Sequence, residues 1–464
     1  MKNKIFSVFA IMLCAVVAFS FAACSDAEGN GDTQAPTETD TFAPATDRGK
    51  ESELYKRYAE YRENATLAFK SNETASAEDF EYAQDGEGVK ITKYVGNDNI
   101  IVMPEKIDGL AVTHVAEGAF EGKNIRALYI PDGIYVESGA LAGCDALVTL
   151  RLPTLSENDY LGRIFGAAAP DENAVTVPPS LDMLILGEGT VEISADAFLG
   201  CKTLSAVILP DSVKIIGDAV FYECADLVYV SLGDGIEKIG EYAFAYCRAL
   251  YGIDISMADE IGDGVLFSCT ALNNVKIKTA ENEFLGRIFG ADKPEYNADF
   301  VPESLRCVEI AEGSKIIPDR MFSSCKYITD VILPESLEEI GIRAFYACRS
   351  LGSIKMTSVK KVSDDAFFGC DNLIEVDLGD SLEALGMQAF FGCGALKSVS
   401  LPSTLTELKS STFCGCSSLV TVELGGVKKI GKDAFSGCVK LAPVSTEEIE
   451  VAEGNGALLT NMEE

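Results

Sequence analysis

Cysteine is the residue type best placed to do chemistry in this 464-residue chain, and most of its fifteen cysteines keep a fixed interval. Cys201, Cys224, Cys247 and Cys269 lie 23, 23 and 22 residues apart, and Cys325, Cys348, Cys370, Cys393, Cys416 and Cys438 follow at 23, 22, 23, 23 and 22. A zinc site needs clustered thiolates or imidazoles, yet these thiols are not in a C-x-x-C spacing and the chain has one histidine. Side chains at equivalent places in stacked repeats point the same way rather than at each other, which is poor disulfide geometry. The ladder therefore reads as small buried hydrophobes, one per repeat corner. A serine at Cys348 would then put a hydroxyl into an apolar corner. Cys307 and Cys414 stand outside the interval, and Cys414-Gly415-Cys416 are near enough to touch, but the spacing predicts no bond.

The other chemistries find little. A nucleophilic serine or cysteine would depend on His114, which sits between Thr113 and Val115 with no partner visible in the sequence. A structural or surface histidine is the expectation. Gly217, Gly240, Gly341 and Gly431 recur as turn residues, not as a phosphate-cradling loop. No Asp-rich calcium loop is present, and no carboxylate pair stands apart from the repeat. Asp and Glu number 72 against 38 Lys and Arg, a net charge of −34 that repels nucleic acid and anionic headgroups. The sequence thus predicts no enzyme, no cofactor, no metal and no nucleic-acid partner.

The first residues carry an address. Lys2 and Lys4 precede a run over 5–23 that is apolar or small apart from Ser7 and Ser20, the pattern of a secretory signal. It ends Phe21-Ala22-Ala23-Cys24 and then turns polar. Small residues before that cysteine resemble a bacterial lipobox, although Phe21 stands where Leu is usual. The resemblance implies cleavage before Cys24 (residues 1–23 removed), a lipid on its thiol, and a place on the extracellular face of a bacterial cell membrane. The alternatives are a plain signal cut after Ala23 or an uncut anchor. Residues 24–50 hold only Phe42 as a large apolar side chain and read as a disordered tether. Residues 51–78 read as a helical stalk or cap, with Leu54, Tyr58, Tyr61, Ala65 and Ala68 along one face.

The elements that must position all this form a repeat. Around each ladder cysteine the frame is Phe three before, Leu three after, then Val-x-Leu, as in Phe198, Cys201, Leu204, Val207 and Leu209. A higher repeat lies above it, since Leu161-Gly162-Arg163-Ile164-Phe165-Gly166-Ala167 recurs 124 residues on at Leu285–Ala291, within a block that carries one expanded coil. Val-x-Leu-Pro reads as a short strand ended by a residue without an N–H. Ile-Gly reads as a turn, and Ala-Phe-x-x-Cys as the segment packing back over the core. No coil buries its own apolar side, so about fourteen must stack. The frame resembles BspA-type leucine-rich repeats of bacterial surface proteins. That resemblance implies an α/β repeat fold: a curved leucine-rich-repeat solenoid of 22–23-residue coils with a parallel strand ladder, a leading segment over 79–118, coils over 119–444 and an acidic tail over 445–464. It further implies adhesion or contact with an extracellular protein or glycan. The outward strand positions are the candidate face: Tyr229, Ser231, Asp254, Asn274, Lys276, Asp330, Ile332, Lys355, Glu375, Asp377, Thr421 and Glu423, with Tyr229 and Ile332 as anchors. A monomer touching the membrane only through Cys24 is expected. The competing reading is a structural envelope protein with no dedicated ligand.

Overall fold

The structure, a computed structural model, describes residues 73–156, 158–280 and 283–459. The leader, Cys24, the tether and most of the 51–78 segment lie outside the described residues. Among the described residues no helix is long and apolar enough to cross a membrane.

Val-x-Leu does become a strand, and the strands stack in parallel. Ile100–Val102, Ala127–Tyr129, Thr149–Leu152, Met183–Leu186, Ala206–Ile208 and Tyr229–Ser231 make one six-stranded sheet. Gly252–Asp254, Asn274–Ile277, Cys307–Ile310, Asp330–Ile332, Ser353–Lys355 and Glu375–Asp377 make a second, and Ser398–Ser400 pairs with Thr421–Glu423 beyond it. Register is strict: Ala206 lies beside Tyr229 and Met183, and Val207 beside Val230 and Leu184. Proline ends the strand where expected, since Pro210 follows Leu209, whose N–H is the last to reach the next coil, at Ser231 O.

The run read as a turn is a second ladder. Ile215–Ile216 pairs with Glu192–Ile193 and Lys238–Ile239, and the same two-residue pairing recurs through Ile316–Ile317, Glu339–Ile340 and Lys361–Val362 to Lys429–Ile430. Gly217 follows because a Cβ there would lie 2.6 Å from Ala195 N and 2.9 Å from Ile193 O of the preceding coil. The leucine-rich-repeat solenoid with a parallel strand ladder is as expected, and it carries little helix. A coil of 22–23 residues spent on two strands and their turns leaves no length for a helix. Helix among the described residues is confined to short 3-10 turns and four-residue pieces such as Asn173–Thr176 and Asn297–Phe300.

The two expanded coils are built alike. Leu161–Phe165 and Leu285–Phe289 form 3-10 turns, each closed by a left-handed glycine, Gly166 or Gly290. Asn173 and Asn297 are fully buried, and each accepts the N–H of the turn's glycine, Gly162 or Gly286, at 2.8 Å. Their amides donate onward to Ala197 O and Met321 O, so a buried polar side chain is satisfied on both sides.

The solenoid has about sixteen turns, against the fourteen expected. Both ends depart from the Phe and Cys frame. At the start, Phe80–Asp85 and Gly88–Tyr94 form an antiparallel hairpin whose Tyr94 ring stacks on Phe120 at 5.5 Å. At the finish, the stretch read as an acidic tail supplies a closing turn. Glu450–Val451 pairs with Lys429–Ile430, Leu458 is buried, and Asn455 accepts the Phe435 N–H.

Candidate binding face

Each coil's corner is set by its Phe and Cys. The rings stack coil on coil: Phe198, Phe221 and Phe244 at 5.2 and 5.1 Å, then Phe322, Phe345, Phe367, Phe390, Phe413 and Phe435 at 4.9–5.6 Å and near-parallel. The cysteines behind them are free thiols, and those of the ladder are buried, as expected. Burial pushes the Cys224 and Cys269 thiols up to about 12, because a thiolate there would be desolvated. What the sequence reading missed is that most of these thiols also bond. Cys224 Sγ donates to Phe198 O at 3.2 Å, and Cys247, Cys348, Cys370 and Cys393 repeat the contact to the Phe carbonyl of the coil before. Cys307 and Cys414 are half-buried free thiols; Cys416 belongs to the ladder and donates to Phe390 O. Among the described residues no group of His, Cys, Asp and Glu could hold a metal ion.

His114 has the partner that the sequence hid. Its Nδ1 lies 2.5 Å from Asp85 Oδ2, on the hairpin strand, and the Thr113 hydroxyl donates to the same carboxylate at 2.7 Å. These contacts, the hydroxyl's foremost, hold the Asp85 carboxyl below its usual range. Asp85 lies 29 residues before His114, so only the fold brings the pair together.

The outward strand positions divide into two kinds. Over the later coils they alternate as expected: Val331, Ile354, Val376, Val399 and Val422 are buried, while Ile332, Lys355, Glu375, Asp377, Thr421 and Glu423 are exposed. Ile332 is 51% exposed. Asp254, Asn274, Lys276 and Asp330 are half-buried. In-register pairing sets Asn274, Cys307, Asp330, Ser353 and Glu375 side by side in one row, and Lys276, Glu309 and Ile332 in the next. Cys307 and Glu309 belong to this face and were not among the expected residues; the 124-residue duplication, which sets them opposite Met183 and Ile185, was the signal that could have found them. Lys276 Nζ bridges Glu309 at 3.0 Å and Asp254 at 3.8 Å, and the Glu309 hydrogen bond raises its pKa.

Tyr229 and Ser231 are of the other kind. Both are only 7% exposed, and Tyr229 packs with Met183 and Ala206 in a small apolar cluster separate from the main core. Strict register lines up Met183, Ala206 and Tyr229 in one row, so the three side chains touch. Tyr229 is therefore not an open anchor.

With this geometry in place, the comparisons decide the family. The model of the BspA type leucine-rich repeat region, six copies, matches residues 178–292, 298–362 and 315–442. The chain belongs to this family. The BspA-type chain is similar in fold to a leucine-rich repeat protein from Bacteroides ovatus, at 22% identity over 81% of this chain and 98% of that one, TM-score 0.35. It is similar also to a leucine rich cell surface protein from Faecalibacterium prausnitzii, at 22% identity over 76% and 95%, TM-score 0.30. No curated protein matches the BspA-type sequence.

Proposed function

We propose that this chain is a binding module held on the outer face of a bacterial membrane by a lipid on Cys24, and that it recognises an extracellular protein or glycan through the outward face of its strand ladder. The observation that supports this most is the face over residues 330–423. Rigid, hydrogen-bonded strands there present Ile332, Lys355, Glu375, Asp377, Thr421 and Glu423 at fixed spacing, each anchored by a buried neighbour. An exposed Ile among charged groups is the arrangement of an apolar contact with a polar rim.

The test is a capture experiment with the mature chain on arrays of extracellular proteins and glycans, alongside Ile332→Asp and Lys355→Glu. A partner recovered by the unaltered chain and lost by the variants supports the binding role. Recovery of nothing, with an envelope defect on deletion, supports a structural role instead. Anchoring is tested separately: Cys24→Ala should abolish labelling by a fatty-acid probe, and undiminished labelling rules the lipid out.

A further inference from the structure

The two expanded coils carry the same arginine in the same turn, yet the two arginines are not equally satisfied. Arg163 and Arg287 each stand third in Leu-Gly-Arg-Ile-Phe, and each sends Nη1 to a carbonyl of the coil before, Val136 O at 2.8 Å and Ile261 O at 2.7 Å. Arg287 also holds two carboxylates: its Nε donates to Glu283 Oε2 and its Nη1 to Asp263 Oδ1, both at 2.9 Å. The first coil has changed both partners. Four residues before Arg163 stands Asp159, one methylene shorter than Glu283. Its Oδ1 lies 2.8 Å from Nε, but that buried N–H finds no hydrogen-bond acceptor. Asp263 lies two residues past Ile261; two residues past Val136 stands Ser138, whose hydroxyl turns to Arg163 O at 3.2 Å instead. Among the described residues Asp159 is the one carboxylate that meets Arg163. The guanidinium is one carboxylate short of its twin.

We propose that Arg163 anchors a binding site for a sugar acid, taking its carboxylate as Arg287 takes that of Asp263. A cavity of about 30 Å³ opens beside the guanidinium, between Tyr135, Leu155, Asp159 and Tyr160. It has room for a carboxylate, or for about two waters, and none for a whole ring, so the body of the ligand stays at the mouth. The planar guanidinium presents paired N–H groups that match a carboxylate, and Arg287 shows that one arginine in this turn can serve two of them. Asp159 sets an acceptor next to these donors, which suits a hydroxyl on the carbon beside the ligand's carboxylate. Tyr135 stands 46% exposed at the mouth, its ring 5.3 Å from the guanidinium, and the Tyr160 hydroxyl donates to Ala167 O at 3.0 Å, which fixes the opposite wall. The net charge of −34 opposes an anion from afar, but at physiological salt that field is screened beyond about 8 Å. This cleft lies off the outward strand face, and it stands whether or not that face binds a partner.

The test is calorimetric titration of the chain with glucuronate, glucose, N-acetyltyrosine and inorganic phosphate. Glucuronate should bind more tightly than glucose by about tenfold or more, the difference a charge-assisted pair supplies. It should also bind more tightly than N-acetyltyrosine, which stands for the C-terminus of a polypeptide, and than phosphate. Arg163→Gln should abolish the binding, and Arg287→Gln, whose site holds its own carboxylates, should leave it unchanged. Arg163 also supports its own turn, so Ser138→Asp decides if Arg163→Gln fails to fold. It installs the carboxylate of the second coil, and should abolish glucuronate binding while the thermal midpoint holds or rises. Binding that survives Ser138→Asp, or that falls with Arg287→Gln, overturns the site. Equal binding of glucose, or no binding of any probe, overturns the carboxylate and leaves a cleft for water. Tighter binding of N-acetyltyrosine or phosphate overturns the sugar acid.

Discussion

Phe345→Ala tests the stacking on which the whole arrangement depends. The ring is fully buried, 5.0 Å from Phe322 and 4.9 Å from Phe367, at 12° and 4° between planes. Removing a core phenylalanine costs about 3–5 kcal/mol. Two aromatic neighbours lose a partner at once, at about 0.5–1.5 kcal/mol each, which places this site toward the upper end, about 4–5 kcal/mol. Backbone bonds remain: Phe345 O still accepts Cys348 N at 3.1 Å and Cys370 Sγ at 3.1 Å. The damage is therefore a cavity between coils rather than a broken ladder. Each coil touches only its neighbours, so hydrogen exchange should accelerate from about Cys325 to Cys370 and change little near Cys201. Uniform loss of protection along the chain would refute the local-coupling argument. No change anywhere would show that the ring is not packed as described.

Three further outcomes follow from the same coils. Cys348→Ser retains a donor facing Phe322 O, which the thiol reaches at 3.0 Å, so it should cost about 1 kcal/mol rather than the larger penalty of an unpaired hydroxyl; a loss above about 3 kcal/mol in denaturant titration would mean that the shorter side chain finds no acceptor. Ala347 sits at φ 55 where its counterparts in the next coils are Gly369 and Gly392, so Ala347→Gly relieves a left-handed strain of about 1–2 kcal/mol against an entropic cost of about half that; the thermal midpoint should rise or hold, and a clear fall would sink the argument. Glu338 is hydrogen-bonded to Lys360 and Lys315, which pull its carboxyl from 4.5 to about 2. A depressed carboxylate stabilises above its unfolded value and loses that contribution as pH falls from about 4.5 towards 2. Glu338→Gln should flatten that part of the acid limb, as should high salt, since the pair is exposed; an unchanged limb would show that the pairs contribute nothing.

What could be read in advance was whatever the sequence repeats with large side chains. Phe198 through Phe435 and their cysteines fixed the register because a ring and a thiol cannot exchange places in a packed corner. The inward and outward alternation was legible from Asp330 to Glu423, where polar residues flank a buried Val or Ile. It was not legible from Met183 to Tyr229, where both sides of the strand are apolar and a period of two leaves no trace. The second ladder was hidden for another reason: a two-residue strand such as Ile215–Ile216 is too short to show any period. His114 and Asp85 escaped because they sit on strands of different connections, Asp85 on the hairpin and His114 on Leu110–Val115 beside it, and such a contact leaves no spacing signature.

The thiol ladder was legible as volume and illegible as bonding, and the difference bears on why cysteine occupies the corner. Each Phe carbonyl there has two lone pairs. One takes the N–H of the cysteine in its own coil, as Phe221 O takes Cys224 N at 3.1 Å; the other takes the thiol of the next coil, as Phe221 O takes Cys247 Sγ at 3.2 Å. Alanine would leave the second unused and the corner underfilled. Valine would fill it without a donor. Serine would donate from a shorter arm and bury a more strongly hydrated group. Cysteine alone fills an apolar corner and joins one coil to the next. Its burial, by holding the thiol protonated, keeps that join from reacting.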